Sequence, residues 1–212
     1  MNYRHIADAV EFYERRGYVY LEDAPWEVFH GAYYATRPSG SQDVRVVVGG
    51  PVLDDREDDH PVTLEIDSAD ERFLVASGEQ SFIQMMFDGQ PIKRAICVTP
   101  CWRWERRIDT LHRRYFMKAE LINAQDVDQG HLMHMVHDAM AFFEQYFSVR
   151  VVQTDEGFDI VEKGTRYELG SYGIRQVQNP KTKQYFGWIY GTACAEPRLS
   201  TAIARHSKYV GR

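Results

Sequence analysis

Two β-prone runs around a basic loop constrain this chain more than any other feature. The stretch from Ile96 to Ile122 reads Ile-Cys-Val-Thr-Pro-Cys-Trp-Arg-Trp-Glu, a short charged connection, then Leu-His-Arg-Arg-Tyr-Phe-Met-Lys-Ala-Glu-Leu-Ile. Apolar, β-prone residues on both sides of a polar connection predict two antiparallel strands joined by a loop. The loop end gathers Arg103, Arg106, Arg107, Arg113 and Arg114, with His112 beside them. Guanidinium forks grip phosphate or carboxylate oxygens in bidentate fashion. Residues an even number apart in a strand share a face, so His112, Phe116 and Glu120 are expected to point the same way. A cation, an aromatic plane and a carboxylate on one face could hold a triphosphate and a purine ring. Taken alone, the same residues also fit a polar hairpin with a solvated basic loop.

The 212 residues suit one domain with a real core, and a single domain over 1–212 is the expected organisation. Five Arg or acidic residues fall before Arg16, and no apolar run approaches the roughly twenty residues needed to span a bilayer. Neither a signal peptide nor a membrane partner is therefore expected. Three cysteines, an odd number, give no disulfide framework and suit a reducing cytoplasm. Cys97, Cys101 and Cys194 are expected to be packed rather than reactive. A net charge of −6 argues against broad nucleic-acid binding by bulk electrostatics, but leaves a local basic patch free to take a nucleotide.

Along the chain, Ile6, Val10 and Tyr13 recur at helical spacing over Tyr3 to Arg16, and Gly17 is a natural helix terminator. Tyr18 to Glu22 reads as a short strand ended by Ala24-Pro25. Val44 to Val48, Val62 to Ile66 and Arg72 to Ala76 are further strand candidates, with the acidic run Asp54 to Asp59 as an exposed loop. Ser77 is a hydroxyl N-cap candidate for a helix that carries Glu79, Ile83, Met86 and Phe87. Asp128 to Phe147 is the longest helix candidate, with Leu132, Met135, Val136, Ala139, Phe142 and Phe143 as its apolar stripe. His131, His134 and His137 fan over about a third of that helix's circumference. Solvent or subunit contacts explain such a fan better than zinc, which prefers ligands four apart on a helix. Val149 to Thr154 and Phe158 to Glu162 predict a hairpin around Asp155-Glu156-Gly157. Thr165 to Ile174 is a strand carrying Glu168 and Ser171, Gln184 to Cys194 is another, and Glu196 to Lys208 is a terminal helix with Pro197 in its first turn.

Taken in this order, the pieces resemble the class II aminoacyl-tRNA synthetases. Helix, Gly17, strand and Pro25 resemble motif 1, which builds the family's dimer interface. Arg103-Trp-Glu105, a loop, and His112-x-x-x-Phe116 resemble motif 2. Ser77-Gly-Glu79 resembles the family's amino-acid-recognition loop. Gly191-Thr-Ala-Cys-Ala-Glu196-Pro-Arg198 and the helix after it resemble motif 3, with two departures. Pro197 separates Glu196 from Arg198, and Ala193 and Ala195 stand where the pattern has glycines.

The resemblance implies a role for each residue. Arg103 would hold the ATP α-phosphate and the amino-acid carboxylate. His112 would face the outer phosphates, Phe116 would stack on adenine, and Glu105 would sit near the adenine end. Arg198 would lie against adenine and the γ-phosphate from the other side. Glu79 would bind the substrate's α-ammonium, and Glu168 with Ser171 would hold Mg²⁺. The implied fold is α+β, an antiparallel sheet of about six strands flanked by helices, with ATP lying on the sheet. The implied activity is ATP-dependent formation of an aminoacyl-adenylate by a cytoplasmic homodimer. With almost nothing outside the motifs, no anticodon-binding domain is expected. The acceptor would then be unusual: a carrier protein, a protein side chain, a small molecule or a tRNA end. The alternative is a catalytically inactive paralogue that binds an amino acid or nucleotide and regulates a partner. A purely structural protein fits the ordered motifs least.

Overall fold

The computed structural model describes residues 1–36, 45–47, 50–51, 72–103, 105, 108–110 and 112–210. The strand expected over Val62 to Ile66, the acidic run, and Arg106 and Arg107 lie outside these residues. Asn2 caps the first helix, α1 (Tyr3–Glu14), by accepting from the Arg4 N–H, and Ile6, Ala9, Phe12 and Tyr13 turn inward. Gly17, at φ +83°, supplies the left-handed residue that turns the chain into β1 (Val19–Leu21). Next come β2 (Glu27–Phe29), α2 (His30–Tyr34), β3 (Arg45–Val47), β4 (Gly50–Pro51) and β5 (Arg72–Leu74). The remaining elements are α3 (Gly78–Phe87), β6 (Arg94–Trp102), β7 (Tyr115–Asn123), α4 (Gln129–Phe143), β8 (Val149–Thr154), β9 (Gly157–Glu162), β10 (Glu168–Gln178), β11 (Tyr185–Glu196) and α5 (Arg198–Val210). No helix among the described residues is long and apolar enough to cross a membrane.

The principal sheet has seven strands, one more than expected, in the order β1-β6-β7-β11-β10-β9-β8. Its pairings are antiparallel except that β1 runs parallel to β6. A small antiparallel sheet, β2-β5-β3-β4, lies apart from it. Alternation along the central strands loads both faces of the large sheet. Ile96, Leu121 and Ile189 join the core under α1 and α4. Their neighbours Cys97, Ile122, Trp188 and Tyr190 join the core under α3 and the small sheet. The fold is thus α+β, with one sheet between two layers.

Two register shifts break this alternation, and both lie where the second face opens into a cavity. Thr192 stands opposite Glu120, but the next partner of β7 on β11 is Cys194, opposite Ala119, so Ala193 is an extra residue. Past the bulge the parity inverts. Ala193 and Cys194 are both buried in the α4-side core, and Ala195 lines the cavity beside Thr192. A second shift, between Glu168 and Gly170 on β10, lets Glu168 and Ser171 line one cavity while Leu169 and Tyr172 face the core. Strict period-two alternation would have sent Glu168 and Ser171 to opposite faces.

Three local expectations need correction. Ser77 makes no side-chain cap bond to α3; its Oγ donates to Glu120 Oε2 at 2.7 Å. His112 precedes β7 and lies in the loop, where its N–H donates to Asp109 Oδ1 at 2.8 Å. Pro197 sits just before α5, which starts at Arg198.

Candidate active site

A cavity of about 390 Å³ opens on the α3 side of the principal sheet. Phe116, Lys118 and Glu120 rise into it from β7, Tyr190, Thr192 and Ala195 from β11, and Glu168, Ser171 and Arg175 from β10. Ser77 and Glu79 enter at the start of α3, and Arg103, Glu105, His112 and Arg113 from the loop between β6 and β7. Arg198 enters at the start of α5, and Thr36 from the segment after α2. Arg103, Glu105, His112, Phe116, Glu79, Glu168, Ser171 and Arg198, singled out from sequence, therefore line one cavity.

Arg103 is fixed from two sides. Its Nε donates to the Ala76 carbonyl at 3.1 Å, and its guanidinium carbon lies 5.1 Å from the centroid of the Phe116 ring. The bond to Ala76 does not use the two Nη groups, and Arg103 makes no ion pair with the described residues. It therefore keeps donors for a bidentate anion. His112 is held by the Asp109 carboxylate, 3.0 Å from its Nδ1. Arg198 Nη1 meets Glu168 Oε1 at 2.5 Å, which ties the start of α5 to β10. Both partners are substantially exposed, so this pair adds little stability and can exchange partners readily.

Buried carboxylates also line the cavity. Glu79 is 3% exposed. Its Oε1 accepts from Trp188 Nε1 at 2.6 Å, and its Oε2 accepts from Arg175 Nη1 at 2.7 Å. Burial pushes this carboxyl up to about 7, against the pull of Arg175 and Trp188. Arg175 also reaches Glu156 at 3.0 Å and lies 4.1 Å above the Tyr190 ring. Glu120 is likewise buried, accepting from Ser77 Oγ and pairing with Lys118 Nζ at 2.7 Å. Next to Arg198, Glu196 is buried under α1 and α5. It accepts from His5 Nδ1 at 2.7 Å, from the Asn2 N–H at 3.2 Å, and from the Ser200 hydroxyl at 2.9 Å.

Ser171 donates to Asp159 Oδ1 at 2.7 Å. Burial raises the Asp159 carboxyl; the Ser171 bond opposes this, and nearby Glu168 adds to it. Among the described residues no group of three or more His, Cys, Asp or Glu side chains is arranged to hold a metal ion. Mg²⁺ does not require such a group, because it binds through one or two carboxylates plus water and phosphate oxygens. The hard oxygens of Glu168, Asp159 and Ser171 fit it. The fanned histidines lie elsewhere, with His131 and His134 on a second cavity of about 240 Å³ beside Tyr18 and Arg94. His131 is held there by Asp128 at 2.9 Å.

Several lining residues had no place in the sequence reading. Lys118 was within reach of it, because it alternates with Phe116 and Glu120. Arg175, Glu156 and Thr36 carry no local signature; they meet the site only through sheet register and through the packing of α2 against α3.

A seven-stranded, mostly antiparallel sheet flanked by helices, open to a cavity on one face, is the fold of class II aminoacyl-tRNA synthetase catalytic domains. Among solved structures the chain is similar to the seryl-tRNA synthetase of Pyrococcus horikoshii complexed with ATP. The TM-score is 0.64 at 14% identity, over 94% of this chain and 48% of that one. It is also similar to the cytoplasmic serine-tRNA ligase of Naegleria fowleri in complex with AMP, with TM-score 0.59 and 14% identity over 92% and 46%. A third is the pyrrolysyl-tRNA synthetase of Desulfitobacterium hafniense, with TM-score 0.56 and 14% identity over 94% and 65%. The chain thus spans about half the length of the two seryl enzymes. No protein-family model and no curated protein matches it in sequence.

Proposed function

We propose that this chain activates an amino acid with ATP, forming an aminoacyl-adenylate, and passes the aminoacyl group to an acceptor. The observation that carries this reading is the grouping of Arg103, Phe116 and Arg198 around one cavity of a class II synthetase fold. Phe116 offers a face for the adenine, and Arg198 closes on it from α5. Arg103, unpaired with any described carboxylate, stands between the nucleotide and the amino-acid carboxylate. In the reaction one carboxylate oxygen attacks the α-phosphorus, a new O–P bond forms, and the α–β bridge breaks to release pyrophosphate. Arg103 would offset the negative charge that builds at phosphorus, and fixed geometry would supply in-line approach. His112 would meet the outer phosphates and Glu105 the adenine end. Glu168, Asp159 and Ser171 would hold Mg²⁺, whose charge would neutralise the outer phosphates. Glu79 would fix the α-ammonium.

The acceptor is proposed to be a carrier protein, a protein side chain, a small molecule or a tRNA end. One observation favours the inactive, regulatory reading: both Glu79 oxygens already have protein partners, and Glu168 is already paired with Arg198. Amino-acid-dependent ATP–pyrophosphate exchange across the twenty amino acids separates the two. Exchange with at least one amino acid is expected. Tight ATP binding without exchange would favour the regulator, and no ATP affinity at millimolar nucleotide would remove activation and leave only an amino-acid-binding regulator.

A further inference from the structure

Thr36 Oγ1 is buried and has no hydrogen-bond partner among the described residues, and Thr36 lines the cavity. Buried hydroxyls nearly always have a partner, so an orphan on a cavity wall calls for a ligand or a water. Its position says which part of a ligand it would meet. Thr36 follows α2, and α2 is strapped to α3: Gln80 Nε2 donates to the Tyr33 carbonyl at 2.8 Å, and the Phe29 N–H donates to Gln84 Oε1 at 3.0 Å. The first turn of α3 carries Glu79. Thr36 therefore stands by the start of α3, where Glu79 enters the cavity and where Gln80 also holds the Ala76 N–H while the Ala76 carbonyl anchors Arg103.

The cavity beside that turn offers hydrocarbon little. Ser77, Glu79, Arg103, Lys118, Glu120 and Arg175 line it, and the Arg175 guanidinium lies over the Tyr190 ring. An aliphatic side chain there would strip water from charged groups without satisfying any of them. A side chain with its own hydroxyl, amide or carboxyl group would instead complete Thr36. Resting on the activation reading above, we propose that the substrate is an amino acid with a hydrogen-bonding side chain, and that Thr36 reads that side chain.

A site built around a hydrogen bond rejects the analogue lacking it far more strongly than an apolar pocket rejects a missing methylene. The test is calorimetric titration of the twenty free amino acids into the protein saturated with an ATP analogue that has a methylene bridge between its α- and β-phosphorus atoms. Serine against alanine, threonine against valine and asparagine against leucine are the informative pairs. The polar member of at least one pair is expected to bind about a hundredfold more tightly or better. Thr36→Val, which keeps shape and removes the hydroxyl, should shrink that ratio about tenfold, and Thr36→Ser should restore it. Because Thr36→Val removes an unsatisfied buried group, its Tm should match or exceed that of the wild type. A lowered Tm would make the hydroxyl structural and overturn the proposal. So would tightest binding by a hydrocarbon side chain, a ratio unchanged in Thr36→Val, or no binding by any amino acid. Pyrophosphate exchange run alongside keeps the two readings apart. Selective binding without exchange removes activation and leaves Thr36 its role, whereas exchange driven by leucine or valine does the reverse.

Discussion

Arg103 is the residue on which the chemistry turns. It is anchored through Nε to Ala76 and flanked by Phe116, so its remaining donors are held in place rather than mobile. If they stabilise the charge developing at phosphorus, Arg103→Ala should cost about 3–4 kcal/mol, a hundred- to thousandfold loss of exchange, with an unchanged circular dichroism spectrum. Arg103→Lys should recover only part, because it keeps the charge and loses the fork. Wild-type exchange in a folded Arg103→Ala protein would remove Arg103 from the reaction. Glu79 makes a second residue-level case. Its carboxyl sits at about 7 in the folded chain against an ordinary value of 4.5. The folded state therefore favours the protonated form, and this contribution to stability is full below about 4.5 and lost as pH rises through about 7. An amino-acid ammonium, however, prefers the ionised form. Substrate affinity should therefore rise with pH through about 7 and level off above it, and Glu79→Gln should flatten that dependence. A wild-type affinity independent of pH from 6 to 8 would separate Glu79 from the ammonium.

Elements explain what sequence could and could not reveal. The β6–β7 hairpin was legible because period-two alternation is local, and the α4 stripe because six apolar residues recur at helical spacing. Glu168 and Ser171 were legible only through their resemblance to a family strand, since the bulge that brings them together leaves no mark in the alternation. Thr36 and Arg175 were invisible for a related reason. Neither sits in a pattern of its own, and each reaches the cavity through contacts with distant segments. The hydroxyl of Ser77 looked like a cap because it precedes a helix, but the buried Glu120 carboxylate competes for it and wins. Glu162, at the end of β9, shows a polar element contact that does carry weight. Burial would raise its carboxyl, yet the Thr165 hydroxyl and N–H, the Gly164 N–H and His206 on α5 together lower it from 4.5 to about 2. A depressed carboxylate contributes stability above its unfolded value and loses it as pH falls through the folded one. Acid should therefore release about 3 kcal/mol between pH 4.5 and about 2. In urea titrations, the stability of wild type minus that of Glu162→Gln should shrink across that window. A constant difference would mean that Glu162 titrates normally.

At the scale of the whole molecule, the open question is where the principal sheet ends. Among the described residues β1 is its outermost strand on one side, paired to β6 along one edge only. An unpaired edge invites another strand unless it is short, charged or covered. This one is short, but it is not charged: Val19 is 60% exposed and Tyr20 37%. Exposed apolar side chains on a sheet edge are suited to a second copy of the chain, related by a twofold axis. A homodimer through Tyr3 to Pro25 is therefore expected at micromolar concentration, by sedimentation velocity. Val19→Lys should raise its dissociation constant at least about tenfold, because a buried unpaired charge at an interface is strongly unfavourable. The interface would also reach the chemistry. α1 carries His5, whose Nδ1 lies 2.7 Å from Glu196, two residues before Arg198. Docking α1 against a partner would steady that contact, so specific exchange activity should fall on dilution through the dissociation range and be low in Val19→Lys at every concentration. A wild-type protein that sediments as a monomer at tens of micromolar (roughly the upper range for a weak specific dimer) would overturn the dimer. Dimers with concentration-independent activity would leave the assembly and cut its link to the site.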